Sequence, residues 1–137
     1  MGKLLWTPSE ERVKNTNMFR FMTRINERFG KNFRSYNDLY GWSVENIPDF
    51  WAEMWDFAGI KASTPYTAVI DDENKMPGAK WFEGAKLNFA ENLLRYRDDQ
   101  TALAFKGEGM APRSLTYAQL YDEVARLAKS LRDMGIQ

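Results

Sequence analysis

Neither cysteine nor histidine occurs in the 137 residues. The first absence excludes disulfides, a thiolate nucleophile and thiolate metal sites, and it points to a reducing compartment, by default the cytoplasm. The second removes the usual general base near neutral pH, imidazole metal ligands and serine–histidine pairs. Acid–base work would fall to carboxylates or lysine, and none of these stand at a recognisable catalytic spacing. No apolar run approaches the ~20 residues of a membrane span, and Met1 to Trp6 holds a short apolar patch without a signal-peptide core. A glycine-rich phosphate loop with a neighbouring lysine is also missing. Net charge is nil: 19 basic side chains balance 19 acidic ones, so no global field draws the chain to nucleic acid or an anionic membrane.

Aromatic residues are plentiful. Five Trp, six Tyr and nine Phe make 15% of the chain. With 44% apolar and 28% charged residues, the composition is that of a folding chain, and the length suits one ordinary domain. Each large ring buries on the order of 150 to 250 Å² when packed, so a core this small has trouble enclosing all of them. Some rings are expected to face a partner surface.

Thr7, Pro8 and Glu10 predict a helix start, with Thr7 as N-cap and Glu10 closing a capping box; the helix is expected to run to about Phe29 and stop at Gly30. Met18, Phe21, Met22, Ile25 and Phe29 share one face of it. Arg20, Arg24 and Arg28 form a second stripe, which could grip phosphates but reads better as the solvated side of an amphipathic helix. Ser35 and Asp38 cap a short turn through Tyr40, ended by Gly41. Asn46 then opens a helix closed at Gly59, whose rings Phe50, Trp51, Trp55 and Phe57 spread wide enough to need cover on two sides.

Residues 66–70 read as a strand, followed by the polar loop 71–75 and the Pro77-Gly78 turn. The acidic cluster there fails the calcium-loop pattern, since Met76 and Gly78 sit where oxygen ligands are needed, and a solvated turn is the better reading. Trp81 and Phe82 are expected to anchor a loop, Gly84 to permit a turn, and Asn88 with Glu91 to cap a helix through about Tyr96. Residues 101–106 and 113–115 predict a hairpin. Its Gly107-x-Gly109 lacks the third glycine and the following helix of a nucleotide-binding fingerprint. Thr116 and Gln119 cap a last helix with Leu120, Val124, Leu127, Leu131 and Met134 on one face, ended by Gly135. A hairpin followed by such a helix normally docks on a sheet. The face therefore needs cover from residues 1–100, from a second copy, or from sequence beyond Gln137.

Residues Trp81-Phe82-Glu83-Gly84-Ala85-Lys86-Leu87-Asn88-Phe89-Ala90-Glu91-Asn92-Leu93-Leu94, with Trp42-Ser43-Val44-Glu45-Asn46, Phe50-Trp51 and Trp55-Asp56-Phe57, closely resemble the amino-terminal part of acetoacetyl-CoA synthetases, in the adenylate-forming ligase superfamily. Acetyl-CoA and propionyl-CoA synthetases share a looser pattern, Lys80-Trp81-Phe82, Gly84, Lys86-Leu87-Asn88 and Leu115-Thr116-Tyr117, but typically lack the Trp55-Asp56-Phe57 segment and the Ala90 to Leu94 ending.

The resemblance implies an α/β, mostly helical fragment: a helical amino-terminal extension over residues 1–100, then the first hairpin and helix of a large α/β adenylation domain from 101 to 137. It also implies a longer enzyme that activates acetoacetate with ATP and Mg to an acyl-adenylate and transfers the acyl group to coenzyme A. The family's catalytic loop and lysine fall beyond residue 137, so no catalytic, cofactor-binding or metal residue is assigned here, and the segment alone is expected to be inactive. The rest of the adenylation domain is the expected partner, with no nucleic acid and no membrane. Other readings are a fragment of an acetyl-CoA or propionyl-CoA synthetase, a stand-alone protein-interaction module, and a homo-oligomer whose copies cover each other's aromatic faces.

Overall fold

The computed structural model describes residues 5–136. The elements are α1 (Glu10–Lys14), α2 (Asn17–Phe29), α3 (Tyr36–Glu45), α4 (Ile47–Ala58), β1 (Ala68–Ile70), β2 (Trp81–Glu83), α5 (Phe89–Leu93), β3 (Thr101–Phe105), β4 (Arg113–Thr116) and α6 (Tyr117–Asp133). They form two compact units, residues 5–60 with 65–85, and residues 61–64 with 86–136.

In the first unit the expected single helix over residues 7–29 is two helices. Ser9, not Thr7, caps α1, and Thr16 caps α2 by accepting from the Phe19 amide at 3.1 Å. The Thr16 hydroxyl also donates to the Val13 carbonyl at 2.7 Å, so one side chain closes the first helix and opens the second. The face expected of α2 is the core: Phe21, Met22 and Ile25 are buried with Leu39 and Trp42 of α3. Met18, expected on that face, is half exposed.

Ser35 and Asp38 form the expected capping box, but α3 runs on through Gly41 to Glu45. Asn46 ends α3 rather than capping α4 with its side chain, donating from Nδ2 to the Trp42 carbonyl at 3.1 Å. Gly30 and Gly59 terminate α2 and α4 at φ 62°, a left-handed conformation that costs glycine nothing. Phe50 and Phe57 of α4 meet Phe21 edge-on at 5.7 and 5.1 Å, while Trp55 meets Tyr66 and Phe82 on another side at 5.3 and 4.6 Å. The wide aromatic face of α4 is thus covered from two directions, as its width requires.

Residues 81–83 are not a loop. They pair antiparallel with β1, Ala68 opposite Glu83 and Ile70 opposite Trp81. Phe82 takes φ 47°, unusual for a bulky residue and worth on the order of 1–3 kcal/mol of strain. Its ring lies between Trp55 and Tyr66, and that packing holds the backbone there.

In the second unit β3 and β4 form the expected hairpin, with Thr101 opposite Thr116 and Phe105 opposite Arg113. Among the described residues this sheet has these two strands. Thr116 and Gln119 close a full capping box on α6, and at its other end the Ile136 amide donates to the Leu131 carbonyl past Gly135. Helix α5 starts at Asn88 as expected but ends at Leu93, short of Tyr96. Asn92 within it donates from Nδ2 to the Lys61 carbonyl at 2.9 Å and accepts from the Lys61 amide at 2.8 Å, so its carboxamide pairs with that backbone as a strand would.

Candidate functional site

Of the arginine stripe, Arg20 is exposed as expected, whereas Arg24 and Arg28 are engaged by carboxylates of α4. Arg24 Nε and Arg28 Nε each lie 2.8 Å from a different oxygen of the Glu53 carboxylate, and both guanidinium groups approach Asp56 at 3.6 and 3.8 Å. Glu53 is 3% exposed on the otherwise aromatic helix α4. A buried carboxylate needs partners on both oxygens, and the i, i+4 spacing of the arginines supplies them. Composition hid this arrangement. Its one sequence trace is Glu53-x-x-Asp56 among the rings of α4, a pair one helical turn apart like the arginines of α2.

The acidic loop organises itself. Asp71 accepts from Lys75 Nζ, the Lys80 amide and the Asp72 amide, each at 2.8 Å. These donors, Lys75 first, hold its carboxyl at about 2, below the ordinary 3.8. Asp72 in turn accepts from the Asn74 amide at 2.9 Å. Gly107 and Gly109 lie in the β3–β4 connection, where a Cβ on Gly107 would come within 2.9 Å of the Phe105 ring. Among the described residues no three Asp or Glu side chains gather as a metal site.

The feature of the second unit that calls for a partner is an uncovered apolar face. Leu103 and Phe105 of β3 are about half exposed, Val124 and Leu131 of α6 more than a third, and Leu127 is 61% exposed. Leu103, Phe105 and Leu115 line a cleft of about 440 Å³ bordered by Arg113 and Glu123. No residue of α6 is fully buried. Exposed large apolar side chains grouped on folded elements mark an interface, and a hairpin of two strands is marginal without further pairing.

The order of these elements is known elsewhere. The family described as acetyl-coenzyme A synthetase N-terminus matches residues 36–93, from the start of α3 to the end of α5. In sequence and fold the chain is similar to the amino-terminal part of acetoacetyl-CoA synthetases. The zebrafish (Danio rerio) acetoacetyl-CoA synthetase is 42% identical over 99% of this chain and 20% of its own length. The solved acetoacetyl-CoA synthetase from Streptomyces lividans superposes with a TM-score of 0.83 at 36% identity, covering 99% of this chain and 22% of that one. A malonamoyl-CoA synthetase of Penicillium aethiopicum is 36% identical over 98% of the chain and 19% of its own length. The chain thus spans about a fifth of the relatives it matches. The fold class expected from the resemblance is borne out as a mostly helical fold with small sheets that matches the amino-terminal part of a larger solved synthetase.

Proposed function

We propose that this chain is the front of an acetoacetate–CoA ligase, in which residues up to about 100 form an extension and the β3–β4–α6 unit begins the adenylation domain. The observation that carries the reading is end-to-end likeness to acetoacetyl-CoA synthetases in both sequence and fold. In the whole protein ATP, Mg and coenzyme A would supply activation of acetoacetate as its adenylate and a thiol to accept the acyl group, in the cytoplasm. This segment provides no catalytic side chain. Its own contribution is the apolar face of β3, β4 and α6, on which the rest of the adenylation domain would dock. No helix among the described residues is long and apolar enough to cross a membrane.

The test is acetoacetate-dependent exchange of pyrophosphate into ATP by the longer gene product. Exchange with acetoacetate well above that with acetate or propionate is expected, and none from the 137-residue chain alone. Preference for acetate or propionate would move the assignment to those synthetases.

A further inference from the structure

The first unit carries an exposed face that its own core does not use. On α3, Tyr36, Tyr40 and Val44 stand at i, i+4 and i+8 with exposures of 60%, 55% and 51%, and the two tyrosine rings lie stacked with centroids 6.1 Å apart. Together with Asn37 and Gly41 they share the side of the helix opposite the buried Leu39 and Trp42. Asn37, Gly41 and Glu45 line an open cleft of about 580 Å³ that Lys31 and Arg34 also border. At Gly41 a Cβ would meet nothing within 4 Å, and glycine inside a helix costs stability that nothing in this chain recovers. Arg34 precedes the helix and Glu45 is its last residue, and neither has an ion-pair partner among the described residues. The other charged groups of the cleft are Lys31 and Asp38, whose carboxylate is taken up by the Arg34 and Ser35 amides at 2.9 Å.

We propose that this face is self-complementary, and that a second copy of the chain lays its own α3 antiparallel on it about a two-fold axis beside Gly41. An antiparallel pair centred between Tyr40 and Gly41 sets Tyr40 of each copy over the bare Gly41 backbone of the other and Asn37 against Val44. Arg34 of each copy then reaches the end that carries Glu45 of the other. Charge complementarity selects this occupant: the free Arg34 and the free Glu45 mark opposite ends of one helix, so antiparallel pairing joins opposite charges where parallel pairing would join like ones. Tyrosine and arginine are also the side chains that anchor interfaces. One helix face per copy is a small contact, so the association is weak and concentration-dependent. The inference uses only groups of the first unit and does not depend on the ligase reading.

The experiment is sedimentation equilibrium of the 137-residue chain up to millimolar concentration, with Leu127→Lys in every sample so that the open face of α6 does not self-associate. The weight-average mass is expected to climb from monomer toward dimer. Arg34→Glu and Glu45→Arg, both at exposed positions, each turn two symmetric attractions into repulsions and are expected to weaken association about tenfold. An equimolar mixture of these two variants restores opposite charges at both ends of the pair and is expected to regain the association of the parent, which a merely structural effect of either change would not do. Gly41→Leu fills the space that Tyr40 of the second copy would occupy and is expected to abolish association. A monomer at every concentration, a mixture no better than either variant alone, or Gly41→Leu associating like the parent would overturn the proposal.

Discussion

At Gly41 the sequence suggests a helix terminator, and the structure shows glycine inside a continuous helix with open space where a Cβ would sit. Glycine in a helix interior is a cost rather than a stop, and nothing inside the chain requires it there. Gly41→Ala is therefore expected to stabilise the chain by about 0.5–1 kcal/mol, measured as a shift in the urea midpoint with the slope unchanged. Asp71 gives a pH signature. Its folded pKa, about 2, lies below the ordinary 3.8, so its contribution is fully present above pH ~3.8 and is lost as pH falls through ~2. Carbon-13 NMR of the carboxyl should show a midpoint near 2, and Lys75→Met should move it up toward the ordinary value. A midpoint at 3.8 in the parent chain would contradict the loop geometry.

Among elements, what was legible followed from local chemistry and what was missed followed from distance. The capping boxes at Ser35 and Thr116 and the glycine ends at Gly30, Gly59 and Gly135 each depend on residues within one turn, and a sequence displays them directly. Strand β2 owes its existence to β1, more than ten residues away, and no periodicity in three residues reveals a partner. The break between α1 and α2 turned on which of Thr7, Ser9 and Thr16 would cap, a choice settled by the Thr16 hydroxyl bonding in both directions. The Arg24–Arg28–Glu53 network joins two helices that helical periodicity treats separately.

That network carries an asymmetry that can be measured. Replacing both arginines by Met strands a buried carboxylate and is expected to cost about 3–5 kcal/mol in denaturant unfolding. Glu53→Gln leaves arginines that are 36% and 55% exposed at the side chain and can turn to water, so its cost is expected to be smaller, roughly 1–2 kcal/mol. Equal costs would mean that Glu53 is solvated.

For the whole molecule, the aromatic excess was a sound guide to packing inside the first unit and the apolar stripe of α6 a sound guide to what the second unit leaves bare. The rings of α4 find cover from Phe21 on one side and Tyr66 and Phe82 on another, whereas Leu127 and Phe105 remain open. The candidate site was legible only as a need for cover. The cleft beside Gly41 was not, because the sequence suggests a helix end at that glycine, and residues 31–34 join 37–46 only in the fold. Leu127→Lys should change the stability of the 137-residue chain by no more than about 0.5 kcal/mol, as for other exposed positions. If the proposed remainder of an adenylation domain docks there, the same substitution in a longer protein is expected to abolish exchange activity or folding.

The most direct measurement is carbene footprinting of Leu103, Phe105, Leu127 and Leu131 in the 137-residue chain and in the longer gene product. Strong labelling in the first and near-complete protection in the second is expected if this face is the seat of the remaining adenylation domain. Equal labelling of the four residues in both proteins would contradict it.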